Sequence, residues 1–86
     1  MSREATQAES HAKSIGKLVY MANQIGKFFA GQGPEAAVSG TAEHIKKFWD
    51  PRMRAAIFAH LDAGATGLDP AARKAIEALR AARPPG

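Results

Sequence analysis

The sequence predicts an all-α protein, a small bundle of three main helices plus a shorter C-terminal fourth helix. Three observations carry this. Apolar residues recur at three- and four-residue intervals, two Asp-Pro steps stand where helices would begin, and no stretch alternates apolar and polar residues as a strand would. Alanine accounts for 19 of the 86 residues, which favours helix throughout.

The elements follow in order. Residues 1–10 are polar and lack helical periodicity, and they read as a flexible N-terminal lead-in. From His11, Ile15, Leu18, Ala22, Ile25 and Phe29 form an apolar stripe widened by Val19, Met21 and Phe28. At about 100° per residue, Lys13, Lys17, Tyr20, Gln24 and Lys27 collect on the opposite side. The helix should stop at "AGQGP", where Gly31, Gly33 and Pro34 interrupt the pattern. A second helix is expected from Pro34, with Glu35 near the positive end of its dipole. Its apolar face would hold Val38, Ala42, Ile45 and either Phe48 or Trp49, and Gly40 would weaken it. Asp50 suits the N-cap of a third helix opened by Pro51, with Met53, Ala56, Ile57, His60 and Leu61 on one face and Gly64 as the stop. Asp69 and Pro70 repeat the device for the fourth helix, anchored by Ile76 and Leu79 and running to Ala82. The expected organisation is the lead-in 1–10, one helical domain over 11–82, and a C-terminal tail over 83–86.

Composition narrows the function. Alanines favour helix but bury little surface, and hydrophobic stabilisation scales with buried apolar area at about 25 cal/mol per Å². The chain can build helices readily around a thin core, a condition under which a partner often supplies stability. There is no cysteine, hence no disulfide or thiolate metal site. His11, His44 and His60 lie on three separate segments without metal-ligand spacing, and the carboxylates form no catalytic pair. The glycines of "GQGPE" lack the strand and Lys-Ser/Thr of a phosphate cradle. An enzyme acting alone is the poorest fit. No apolar run approaches the roughly 20 residues of a bilayer span, and the polar start has no signal-peptide core. A cytoplasmic location and no membrane partner are expected.

The most concentrated feature is "KKFWDPRMR", Lys46 to Arg54. The net charge of +4 and this cluster of cations with Trp49 fit nucleic acid in principle. The basic residues, however, are spread over every helix, and the third helix continues with Ala-Ala-Ile-Phe-Ala rather than polar base-reading side chains. A protein-docking corner is the stronger expectation, because Trp, Arg and Met are enriched at interface hot spots. Its candidate partner-binding residues are Lys47, Phe48, Trp49, Arg52, Met53, Arg54 and Phe58, the last because it falls off the Met53-Ile57-Leu61 face. Asp50, Pro51, Asp69 and Pro70 are the structural caps. An independent small basic helical module, nucleic-acid-binding or regulatory, is the alternative.

Three blocks in order, "MANQI" with Phe28-Phe29, "KFWDPRMR" and "GLDP", resemble the delta subunit of the cytoplasmic, NAD-dependent, molybdenum-containing formate dehydrogenases. The resemblance runs from Lys17 to Leu79, with Lys46 standing where that family often has Arg. It implies a non-catalytic accessory subunit that binds no cofactor itself. It also implies a large alpha subunit that oxidises formate at a molybdenum bis-pterin guanine dinucleotide centre. Iron-sulfur clusters and FMN of the complex, which includes beta and gamma subunits, would carry electrons to NAD⁺. The delta subunit would dock on the alpha subunit and support assembly, cofactor loading or stability of the active complex, with no role for nucleic acid.

Overall fold

The computed structural model describes the backbone of residues 3–82 and the side chains of residues 14–82. Among these residues four helices follow one another: α1 (Arg3–Ala30), α2 (Pro34–Phe48), α3 (Pro51–Asp62) and α4 (Pro70–Ala81). No strand occurs among the described residues. At 12 residues α4 is shorter than α1 and α2 and equal to α3.

The first helix starts at Arg3 rather than at His11, so the expected lead-in is helical over most of its length. The reason is local. "REATQAE" consists largely of good helix formers, and extending a helix already nucleated by the apolar stripe downstream costs little. Residues 1 and 2, and the tail 83–86, lie outside the described residues.

The α1–α2 turn closes through Gln32 N–H to Phe29 O at 2.9 Å and Gly33 N–H to Ala30 O at 3.1 Å. Gly33, at φ 113°, takes a conformation that a side chain would strain, and Pro34 then opens α2. The buried face of α2 differs from the expected one. Ala37, Thr41, Ile45 and Trp49 are buried at successive four-residue steps, whereas Val38 and Ala42 are half-buried and Phe48 is exposed. A strict four-residue row forms a single ridge, which suits a helix packed mainly against α1 and α4 at once. Polarity hid Thr41 from pattern reading. Its hydroxyl donates to Ala37 O at 2.6 Å, so the group is satisfied inside the helix and can be buried.

Leu18, Ala22, Ile45, Trp49, Ile57, Phe58, Ala72 and Ile76 form the core, one or more from each helix. Phe58 is the second departure. It is buried beside Ile57 because α3 packs against both α1 and α4, which widens its buried arc beyond a single stripe. Phe28 is the third. It was expected to widen the apolar stripe but is exposed, set edge-on to the Phe29 ring at 5.0 Å, while Phe29 itself covers Gly40.

After α3 the chain turns through a Schellman arrangement. Gly64 N–H donates to Leu61 O at 3.2 Å and Ala65 N–H to His60 O at 3.0 Å, with Gly64 at φ 117°. That conformation explains why glycine stands there. The loop then leads to Asp69 and α4.

Candidate docking surface at the α2–α3 corner

The corner is fixed by caps from both directions. Asp50 has extended backbone angles, φ −76° and ψ 168°, and its Oδ1 accepts the Met53 N–H at 2.9 Å. That bond and Pro51 start α3 in the way the sequence predicts. The end of α2 is closed from the opposite side. The Arg54 guanidinium donates to Trp49 O, and also reaches Lys46 O at 3.4 Å. A cation placed on the last carbonyls of α2 opposes the negative end of its dipole. Arg54 therefore holds one helix end while standing in the first turn of the next.

These contacts divide the candidate residues. Trp49 is 3% exposed and Phe58 is 8% exposed, so both belong to the core. Trp49 offers no ring to a partner while the fold is intact, whereas the small exposed part of Phe58 lines a groove beside Leu79. This corrects the expectation for Trp49, which completes the four-residue row of α2 instead of forming docking surface, and leaves Phe58 as a core ring with only an edge at the surface. Phe48, by contrast, is 72% exposed. It stacks obliquely on His44 one turn earlier, with ring centroids 4.7 Å apart, and the rest of the ring meets solvent. Lys47 is exposed and paired with Glu43 at 3.6 Å, a contact of little energetic weight at the surface. Arg52 is exposed, and Met53 is half-buried against the core.

The corner thus forms a ridge with a groove on each side. Arg52 and Met53 line one groove, together with Lys17, Met21 and Ala56. Arg54 and Phe58 line the other, together with Lys46, Ala55 and Leu79. Adjacent residues of one motif face two different surfaces, because successive positions on α3 point about 100° apart.

The second Asp-Pro step works differently from the first. Asp69 occupies the N-cap position of α4, yet its side chain makes no cap hydrogen bond. Its backbone N–H instead donates to Asn23 Oδ1 at 2.8 Å, and Asn23 Nδ2 donates to Gly67 O at 2.9 Å. One α1 side chain therefore clamps the α3–α4 loop at both its donor and its acceptor. His60 reaches the same loop from α3, with Nε2 2.7 Å from Thr66 O. Sequence reasoning did not single out Asn23. The available signal was an amide in a helix interior, where Asn is a poor helix former and usually needs a tertiary reason.

Among the described residues no three His, Asp or Glu side chains converge as metal ligands would. No helix among them is long and apolar enough to cross a membrane. The corner, the Asn23 clamp and the loop it holds all fall within residues 17–76. That span matches the family model of the NADH-dependent formate dehydrogenase delta subunit FdsD. The chain belongs to that family. The match covers 60 of the 86 residues, counted from 17 through 76. No curated protein and no solved structure matches the chain. As a formate dehydrogenase delta subunit it is part of an enzyme complex. The first and third of the three blocks that carry the resemblance meet in space, because Asn23 of "MANQI" binds Gly67 and Asp69 of "GLDP". The second block is the capped corner itself.

Proposed function

We propose that this delta subunit is a non-catalytic docking subunit of a cytoplasmic complex. In this reading it binds the large molybdenum-carrying alpha subunit, alongside beta and gamma subunits, and stabilises the cofactor-ready form. The bis-pterin guanine dinucleotide molybdenum centre, the iron-sulfur clusters and FMN then belong to those partners, and this chain supplies no ligand to them. Its absence of cysteine fits that division.

The observation that carries the docking surface is Phe48. A large aromatic ring 72% exposed, on a corner rigidified by the Asp50 and Arg54 caps, is ready to bury apolar area at little ordering cost. Arg52 and Met53 stand just past the Asp50-Pro51 cap, and with Lys17 and Met21 they line a largely apolar groove that carries two cations. The effect on the partner is mass action. A subunit that binds only the folded, cofactor-ready state stabilises it by about 2.7 kcal/mol at a hundredfold excess over Kd.

The test is Phe48→Asp and Arg52→Glu in the co-expressed complex. Both variants should keep the helical circular dichroism of the wild type, retain far less alpha subunit, and lower formate-dependent NAD⁺ reduction by the complex. Normal retention and full activity with both variants would rule out this face.

A further inference from the structure

The groove on the other side of the corner has a lining that the docking surface above does not use. Phe58 and Leu79 form an apolar floor between α3 and α4, and Ala55 and Pro51 form one wall. Lys46 and Arg54 stand at the rim, and among the described residues no carboxylate lines it. Its volume, about 520 Å³, falls within the range of small ligand and peptide sites. Arg54 is held by two backbone carbonyls of α2, so its charge is positioned before anything binds. Among the described residues Lys46 has no carboxylate partner.

We infer that this groove binds a linear acidic segment of the large subunit, one that places a Leu, Ile or Phe side chain on Phe58 and Leu79 and carboxylates against Lys46 and Arg54. The assignment rests on the delta-subunit reading and adds a second contact, separate from Phe48. Charge complementarity selects the occupant. Two cations over an apolar floor favour an apolar side chain flanked by Asp or Glu and disfavour a basic or wholly polar segment. The two contacts have different characters. The Phe48 face would be a surface pressed against a folded partner, whereas the groove would take an extended or helical segment. Linked in one partner they would raise each other's effective concentration.

The experiment titrates the isotope-labelled full 86-residue chain with overlapping 15-residue peptides covering the large subunit. Two groove variants run in parallel. Lys46→Glu reverses a rim charge, and Ala55→Trp fills the groove from an exposed α3 position; neither residue belongs to the core. The expected result is that peptides pairing an apolar residue with two or more carboxylates shift the amides around Ala55, Phe58 and Leu79. Each groove variant should weaken that binding about tenfold, equivalent to about 1.4 kcal/mol, and reduce retention of the large subunit in the complex. Should no peptide bind while both variants form the complex normally and Phe48→Asp does not, the groove inference is wrong and the docking subunit stands. Should the wild-type chain fail to retain the large subunit at all, the docking reading falls, and this inference with it. A concentration-dependent dimer of the free chain that Ala55→Trp abolishes would assign the groove to a second copy and overturn the inference.

Discussion

Two glycines in buried surroundings differ in what an added methyl would meet. At Gly40 a Cβ would lie 2.5 Å from Phe29 Cγ and 2.6 Å from Cδ1, so the ring would have to move. At Gly26 the nearest atoms would be Thr41 Oγ1 at 3.8 Å and the Ala72 backbone N at 3.9 Å, which is ordinary contact. Both substitutions by Ala gain about 1 kcal/mol of helix propensity. Gly40→Ala must also displace Phe29, and overpacking of this kind costs about 1–3 kcal/mol. Urea denaturation should therefore show Gly40→Ala destabilised, and Gly26→Ala neutral or more stable by up to about 1 kcal/mol. Equal effects at the two sites would mean that Phe29 does not pack on α2 as described. Asn23→Ala is the third residue-scale case. It removes both hydrogen bonds to the α3–α4 loop, each with a net value of about 1 kcal/mol, against a propensity gain below about 0.7 kcal/mol. The expected outcome is a net loss of about 1–2 kcal/mol, with faster amide exchange at Gly67–Asp69 than elsewhere.

At the scale of elements, the α2–α3 junction works because each helix is capped by the other's neighbourhood. Asp50→Ala should cost about 1 kcal/mol by removing the acceptor for Met53 N–H, and Asp50→Asn should restore most of it. The neighbouring aromatics should separate cleanly. Trp49→Ala empties a buried site and is expected to cost about 3–5 kcal/mol, enough to unfold much of a domain this size. Phe48→Ala should leave the unfolding midpoint within about 0.5 kcal/mol of wild type, because its ring is already in solvent. Circular dichroism melts of the two variants decide the assignment: if Phe48→Ala proved the more destabilising, the inward and outward roles would be reversed. The Arg80–Asp62 pair joins the far ends of α3 and α4, but both side chains are about half exposed, so its removal should change little.

For the molecule as a whole, the fully buried side chains larger than alanine among the described residues are few, namely Ile45, Ile57, Ile76 and Thr41. Ala22, Ala72 and Ala75 are also fully buried, but side chains this small remove little apolar area from water. Such a chain gains stability from whatever binds its native state. Its unfolding midpoint should therefore rise with the concentration of free large subunit, logarithmically and without a plateau once the sites are filled. A midpoint indifferent to the large subunit would contradict the docking role, whereas one that responds only weakly in Phe48→Asp would locate the contact.

The sequence by itself determined the helical class, the starts of α2, α3 and α4, the Asp50 cap and the family, because these rest on local signals: proline and glycine geometry, capping chemistry, and three blocks in fixed order. It was least informative where a position's role depends on the number of neighbours an element has. Periodicity marks one apolar stripe per helix, but α2 meets α1 and α4 and α3 meets α1 and α4, so the buried arcs are wider or rotated. Only tertiary structure could decide that Thr41 is core, that Phe58 is not stranded, and that Gly40 makes room for Phe29. The same applies to "KKFWDPRMR". The motif was legible as a corner, yet its division into a core Trp49, an exposed Phe48, an Arg54 that caps α2 and an outward Arg52 follows from how α1 and α4 close around it. Helix phase places side chains around one axis; packing decides which of those directions contain protein and which contain water.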